Sequence, residues 1–206
     1  MSRFSAVSES PGQRSRHRGR AARIVSASTR RDNRPVAESG VAELLDSLVA
    51  ARLDFVVIGG LAASAWGVPG QRKDLDVVLD RGSANLAGVA QLVVRLSGYA
   101  HHSDMRARSP ETIAIALRSC ARVLLNTRLG DLDVVNRIDG VPSYDVLRRD
   151  AVALNVCGVR VPVCSLTHLA SMKRTADRES DRRDLEQLVR AAPYAGSAFP
   201  VRSAQS

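Results

Sequence analysis

The sequence predicts a mixed-sheet α+β or α/β domain, because amphipathic helical segments alternate with short apolar runs of strand length. Hairpin patterns also occur among these runs, which argues against an all-parallel sheet. The 206 residues suffice for one domain that buries a sizeable core. Since only 3% of the residues are aromatic and 45% are hydrophobic, that core is expected to consist mainly of Val, Leu and Ala.

The first half of the domain is predicted to run helix, strand, helix, strand, helix. Apolar residues recur at helical spacing in the first segment, and the first strand, "DFVVIGG", stops at Gly59–Gly60. Gly67 and Pro69 end the short second helix, and Ser83 is the expected cap of the third. In order, the five segments are 36–53, 54–60, 61–67, 73–80 and 83–96.

The second half is predicted to begin with a polar loop and to end with two helices. Three strands should follow the loop, with Gly130 and Asp131 forming the turn between the last two. Alternation on both sides of Gly158 predicts a hairpin. In order, the segments are a loop at 101–109, strands at 112–117, 121–127 and 132–135, a short helix at 143–149, the hairpin at 151–164, and helices at 165–176 and 178–192.

Charge is concentrated at the N-terminus. Residues 1–34 hold nine arginines and two acidic residues, so they carry +7 of the formal net charge of +9. Their Ser/Arg-rich composition predicts a disordered tail. A start codon placed too far upstream is another explanation for this segment. Such a tail could also bind RNA, because its positive charges would release counterions from the phosphates. Residues 35–192 are predicted to form the folded domain and 193–206 a loose C-terminal tail.

The remaining bulk features predict a cytoplasmic protein without a membrane partner. No apolar run of about 18 residues is present, and no compact apolar segment follows the N-terminal charges. The three cysteines lie in apolar runs, form no CxxC pair and have no histidines at ligand spacing. We therefore expect them to be small buried side chains in a reducing compartment.

Three aspartates are the candidate metal ligands. Asp74 and Asp76 alternate with apolar residues in "KDLDVVLD", so their side chains should share one face of a strand. Two carboxylates at such a short distance repel each other unless a cation lies between them. Mg²⁺ is the expected cation because it prefers oxygen ligands. Asp133 stands between Leu132 and Val134 in the same apolar-Asp-apolar pattern and is the candidate third carboxylate.

A glycine pair is the candidate phosphate-binding element. Gly59 and Gly60 close a predicted strand and open a predicted helix, where unpaired N–H groups and the helix dipole favour an anion. Together with the carboxylates, this pattern indicates nucleotidyl transfer from an NTP held with Mg²⁺ or Mn²⁺.

On these residues, the chain resembles the DNA polymerase β-type nucleotidyltransferase superfamily, whose signature is similar to "IGG", thirteen residues and then "DLD". Within that superfamily it resembles the small bacterial AbiEii-toxin-like nucleotidyltransferases over about residues 40–190. The segments that carry this second resemblance are "LLNTRLGDLDVVNRIDGVPSYDVL", "NVCGVRVPVCSLTHLASMK" and "DRESDRRDLEQL". It implies a minimal polymerase β-like fold with C-terminal helices.

The resemblance also implies roles for residues of the C-terminal helices. Lys173 matches the lysine of the family's "MK" segment and would contact the triphosphate, with Asp184 orienting it. Arg178, Asp181 and Asp184 match the "R..D..D" pattern that follows.

The chain departs from the family at two positions before Asp74. Relatives usually carry Arg and Thr where this chain has Gly70 and Arg72. Arg72 is the candidate replacement for the threonine's phosphate contact.

The expected function is therefore transfer of an NMP from an NTP to an acceptor hydroxyl, with Asp74, Asp76, Asp133 and Lys173 as the catalytic set. The resemblance suggests tRNA or another RNA as the acceptor and a toxin–antitoxin context with a cognate antitoxin. The alternatives are a small-molecule (antibiotic) nucleotidyltransferase, a nucleotide-binding module or partner protein without turnover, and a nucleic-acid binder that acts through the tail.

Overall fold

The computed structural model describes residues 36–70, 74–102, 105–136, 140 and 143–191. The predictions for 1–34, Arg72 and 193–206 lie outside these residues. The described residues form seven α-helices and eight β-strands. The helices are α1 (Val36–Ala50), α2 (Gly59–Ala65), α3 (Ser83–Arg95), α4 (Pro110–Ser119), α5 (Tyr144–Arg149), α6 (Leu166–Ala176) and α7 (Glu179–Ala191). The strands are β1 (Phe55–Val57), β2 (Leu75–Leu79), β3 (Tyr99–His102), β4 (Met105–Ala107), β5 (Arg122–Thr127), β6 (Gly130–Val135), β7 (Val152–Val156) and β8 (Val159–Val163).

All eight strands belong to one mixed sheet with the order β4-β3-β5-β6-β2-β1-β8-β7. The pairs β2–β6 and β1–β8 are parallel, whereas the other neighbours are antiparallel. This arrangement confirms the predicted mixed α/β fold class. None of the helices in the described ranges combines the length and apolarity that a bilayer crossing requires.

Aliphatic side chains make up most of the core, as the composition predicts. On β5 the buried residues alternate with more exposed ones, so Val123 and Leu125 point into the core while Arg122 and Leu124 point away from it. Helices α3 and α4 pack against the buried face of this part of the sheet. Their apolar stripes include Leu86, Val89, Val93, Ile113 and Leu117.

Most of the predicted elements are present. The first helix, the strands around Val56 and Val77, the hairpin about Gly158 and the two C-terminal helices form where their patterns place them. In the hairpin, Cys157 and Gly158 both adopt positive φ, as a tight two-residue turn requires.

Two predicted elements in the middle of the chain are wrong. The stretch 112–117 is part of α4, because the hydroxyl of Ser109 accepts from the N–H of Thr112 and Pro110 occupies the first helical turn. Part of the predicted polar loop at 101–109 forms the edge hairpin of β3 and β4.

Two details of the predicted boundaries are also wrong. Ser83 is the first residue of α3, whose N-cap is Gly82 and has no side-chain capping bond. The turn before β6 lies at Arg128–Leu129, so Gly130 and Asp131 already belong to the strand.

Cys120 and Cys157 are half-buried, and Cys164 is fully buried. Burial raises the pKa of the Cys164 thiol to about 12, so it stays protonated and behaves as a small core residue. Trp66, just after α2, packs against the core and donates its indole N–H to the carbonyl of Cys164 over 2.9 Å.

Candidate active site

The strand register brings two of the predicted carboxylates side by side. Asp76 lies on β2 directly beside Asp133 of β6, in a parallel pair that also aligns Leu75 with Leu132. Side chains at paired positions project from the same face of a sheet, whereas Leu75 and Leu132 are buried on the opposite face. The two apolar-Asp-apolar patterns thus place these carboxylates together, as the sequence indicates.

The electrostatic environment of Asp76 is unfavourable to its charge. Burial is the main cause that raises the pKa of Asp76 to about 6, and the negative charges of Asp133 and Asp74 add to it. The positive charge of Arg122 and a hydrogen bond from the N–H of Gly60 act in the opposite direction. Asp74 precedes β2 and is exposed, so the pair "DLD" contributes one half-buried and one solvated carboxylate.

The glycine turn is fitted closely to Asp76. Gly59 begins α2 with φ of +67°, and a Cβ atom there would lie 2.8 Å from Cγ of Asp76. Only glycine tolerates both the left-handed backbone and this approach. The structure thus gives the glycines a role that the sequence does not predict, because they let the backbone close over the Asp76 carboxylate.

Arg122 is the site residue that sequence reasoning missed. Its Nε donates to both carboxylate oxygens of Asp133, over 2.9 and 2.8 Å, and its Nη2 forms an ion pair with Oδ2. This hydrogen bonding raises the pKa of the Arg122 guanidinium. Asp133 is buried, but 60% of the Arg122 side chain remains exposed, so the guanidinium covers the carboxylate from the solvent side.

A cleft of about 630 Å³ lies beside these residues, between the sheet and the C-terminal helices. Its sheet side carries Asp74, Asp76 and Arg122, and its opposite wall comes from α6 and α7. The lining thus combines two of the three predicted carboxylates, the glycine turn and the predicted C-terminal residues, whereas Asp133 lies behind Arg122 and does not line the cleft. From the C-terminal segment it includes Lys173, Arg178, Asp181 and Asp184.

Lys173 is held by two aspartates of α7. Its Nζ donates to Oδ2 of Asp184 over 2.7 Å and to Oδ1 of Asp181 over 3.0 Å, and all three side chains are at least largely buried. The predicted pairing of Lys173 with Asp184 across the two helices is therefore present. Oδ2 of Asp181 is buried and lacks a hydrogen-bond partner within the described part of the chain.

The three aspartates do not form a preassembled metal site. In the ranges that the structure describes, no three His, Cys, Asp or Glu side chains are grouped closely enough to hold a metal ion. Arg122 provides the positive charge at Asp133 instead. Asp131, the other acid of this segment, accepts from the amide of Asn126 over 2.6 Å on β6 rather than lying in a turn.

The fold is that of nucleotidyltransferases. A lincosamide antibiotic adenylyltransferase, LnuA, solved with lincomycin, aligns with a TM-score of 0.52 at 17% identity, covering 73% of this chain and 94% of LnuA. ANT(2")-Ia in complex with adenylyl-2"-tobramycin aligns with a TM-score of 0.52 at 15% identity, covering 79% and 91% of the two chains. An antigenic nucleotidyltransferase-like protein from Paracoccidioides brasiliensis gives 0.51 at 16%, covering 77% and 76%.

No protein-family model matches the chain, and no curated protein matches it by sequence. At such low identities the structural likeness shows the fold alone. Membership of the superfamily, the AbiEii-toxin-like subgroup, the reaction and its substrates are therefore matters for proposal.

Proposed function

We propose that this protein is a nucleotidyltransferase that moves an NMP from an NTP to an acceptor hydroxyl. The observation that carries the proposal is the pairing of Asp76 with Asp133 at one register of a parallel strand pair, beside a cleft, in a nucleotidyltransferase fold. A half-buried carboxylate with a raised pKa beside a second carboxylate is the arrangement that a cationic ligand would stabilise.

The donor set fits a hard divalent cation. Asp76 and Asp133 present carboxylate oxygens on neighbouring strands, and Asp74 lies just before β2. Once Arg122 has left Asp133 and the three side chains have moved closer together than they lie here, they would hold Mg²⁺ or Mn²⁺, in keeping with the oxygen ligands that such ions prefer. When bound, the metal supplies charge stabilisation for the phosphates and lowers the pKa of a coordinated hydroxyl.

Each of the other site residues has a role in this reaction. The acceptor oxygen forms a bond to the α-phosphorus, and the bond from that phosphorus to the bridging oxygen of pyrophosphate breaks. Asp133 accepts the proton that the acceptor hydroxyl loses, and the Gly59–Gly60 turn with Arg72 positions the departing pyrophosphate. Among the described residues, two of the three N–H donors of Lys173 go to Asp181 and Asp184, which leaves the third for a phosphate oxygen. Arg178, in the cleft lining, adds a second positive charge.

Arg122 must leave Asp133 before that carboxylate can act as a ligand or a base. The guanidinium is exposed enough to swing into solvent or onto a bound anion without crossing the core. This requirement also supports the rival proposal of a nucleotide-binding module without turnover, in which Arg122 stays in place.

The acceptor has two sources of support. The resemblance to AbiEii-toxin-like proteins favours tRNA or another RNA, in a cytoplasmic toxin–antitoxin setting with an antitoxin as partner. One aligned structure is a lincosamide antibiotic adenylyltransferase and another contains adenylyl-2"-tobramycin, which favours a small molecule.

The test incubates the full chain with each α-³²P-labelled NTP, Mg²⁺, and either total bacterial RNA or a panel of aminoglycosides and lincosamides. Asp76→Asn should reduce transfer at least about a hundredfold, because a charge-stabilising group is lost from the reacting centre. Asp46→Asn, on an exposed position of α1, is the matched control and should transfer normally.

Label in RNA or in an antibiotic that depends on Asp76 would support the reaction and identify its acceptor class. NTP binding without any labelled product would contradict the proposal and favour the binding-only module.

A further inference from the structure

The strand registers align one row of residues across five of the eight strands, starting at the carboxylates. Asp76 on β2 pairs with Asp133 on β6, and Asp133 pairs with Leu124 on β5. Leu124 pairs with His101 on β3, which pairs with Arg106 on β4. Because directly paired residues share a face, all five project from the same side of the sheet.

This side of the sheet is accessible on its outer strands. Arg106 and Arg108 are exposed, Leu124 is 37% exposed, and Tyr99 and His101 are half-buried. The opposite side of the same strands is covered by α3 and α4 over buried residues such as Ala100. With strands about 4.8 Å apart, the open row extends about 14 Å from Asp133 to Arg106.

The outer part of this side, on β3 and just after β4, is basic and aromatic, whereas Asp131 and Asp133 of β6 lie on the same side nearer the candidate site. The guanidinium carbons of Arg106 and Arg108 lie 5.0 and 5.2 Å from the centroid of the Tyr99 ring. The ring of His101 lies 5.2 Å from that of Tyr99. The sequences of β3 and β4, "YAHH" and "MRA", contain no acidic residue. At its inner end the row reaches Arg122, which already covers the negative charge of Asp133.

We propose that a set of side chains on this side of β5, β3 and β4, here called the acceptor track (Tyr99, His101, Arg106, Arg108, Arg122 and Leu124), binds the acceptor and selects a single-stranded RNA end. Arginines bind phosphate oxygens, and aromatic rings and guanidinium planes stack on unpaired bases. A polycationic aminoglycoside would meet like charge along the same path. The inference rests on the proposed nucleotidyl transfer and names its substrate class.

The test compares two double variants of the full chain with equal loss of charge. Arg106→Ala/Arg108→Ala removes the outer arginines of the track. Arg95→Ala/Arg118→Ala removes two exposed arginines from α3 and α4, which cover the opposite side of the sheet. Both variants keep the arginines of residues 1–34, so any binding by that segment is the same in both.

Binding is measured by fluorescence anisotropy with a fluorescein-labelled 12-nucleotide single-stranded RNA, from 50 to 300 mM KCl and without NTP. Loss of two phosphate contacts should reduce the slope of log K against log salt by up to about 1.4, equivalent to about 25-fold in affinity at 0.1 M salt. The control should match the wild type. In the transfer assay, the KM for RNA should rise in the track variant while the KM for NTP stays constant.

Failure of the track and failure of the reaction give different results. Arginine-dependent RNA binding without transfer by any variant would support the track and contradict the proposed reaction. RNA labelling with equal binding and KM in both double variants would keep the reaction and overturn the track. Label that goes to an aminoglycoside or to a protein hydroxyl in preference to RNA would overturn it as well.

Discussion

At the scale of single residues, the raised pKa of Asp76 makes the stability of the fold depend on pH when no metal is bound. An Asp carboxyl in an unfolded chain titrates near pH 3.9, whereas the pKa of Asp76 in the fold is about 6. The folded state therefore binds this proton more tightly. The resulting contribution to stability is complete below about pH 4 and is lost as the pH rises through 6, by at most about 3 kcal/mol.

We therefore expect Asp76→Asn to be more stable than the wild type at pH 8 in the presence of EDTA, with a smaller difference at pH 5. Urea denaturation at the two pH values measures this change in the free energy of unfolding. Asp46→Asn is the control for removal of a carboxylate elsewhere. A difference between Asp76→Asn and the wild type that stays the same at both pH values would contradict the burial of this charge.

Gly59 gives a second prediction at this scale. An alanine there would have to adopt the left-handed backbone of Gly59, and its methyl group would collide with the Asp76 carboxylate. Gly59→Ala should lower stability by more than about 1 kcal/mol and should abolish NTP binding. Gly130 also has a positive φ but has open space around its Cβ direction. Gly130→Ala should therefore be strained yet retain NTP affinity in isothermal titration calorimetry, and an equal loss in both variants would show that strain alone is responsible.

The sequence predicts the carboxylates because their alternation with Val and Leu is a local pattern. It does not predict Arg122, because the contact with Asp133 depends on how β5 and β6 are aligned. A turn at Gly130–Asp131 would place Arg128 opposite Asp133. The actual turn, two residues earlier, puts Leu124 there and brings Arg122 within reach. An error of two residues in the predicted position of the turn is therefore enough to miss the ion pair between Arg122 and Asp133.

At the scale of elements, the same limit explains the wrong predictions in the middle of the chain. "TIAIAL" alternates like a strand, yet the preceding Ser-Pro-Glu supplies a cap, a first-turn proline and a favourable charge for a helix. Ile113, Ala116 and Leu117 then form a helical stripe against the core. The polar hairpin of β3 and β4 contains too few apolar residues to be predicted as a buried strand pair.

Helix α7 packs against α6 partly through a buried cluster of charged side chains. Asp184 is buried and accepts from the Lys173 ammonium, with Asp181 as a second acceptor. Asp184→Asn should lower the free energy of unfolding by about 2 kcal/mol, since Asp181 still compensates part of the buried charge of Lys173. Arg183→Gln removes an exposed pair with Glu179 on the same helix and should cost at most about 0.5 kcal/mol. Urea denaturation of both variants measures the contrast, and equal costs would show that the buried cluster does not contribute to the docking of α7.

At the scale of the whole molecule, the sheet order places β2 and β6 side by side although more than fifty residues separate Asp76 from Asp133. The local patterns predict that both strands exist, but the order of strands depends on long-range packing that no short segment encodes. The resemblance to nucleotidyltransferases predicted this meeting of the carboxylates. The sequence pattern does not predict the row of paired residues that extends to β4, because the alignment of this row depends on three separate strand registers.

The distribution of charge leads to the last prediction, which separates binding by the N-terminal segment from chemistry in the folded domain. Residues 1–34 carry +7 of the net charge of +9, and the candidate site lies entirely in the remaining chain. A variant consisting of residues 35–206 should bind RNA more weakly and with a smaller salt slope. It should keep Mg²⁺-dependent transfer and the same KM for NTP, because every proposed site residue is present. Anisotropy and transfer assays on the full and shortened chains provide the comparison. If the shortened chain kept its thermal stability and NTP affinity but lost all RNA binding and transfer, the segment rather than the sheet would be the RNA-binding surface.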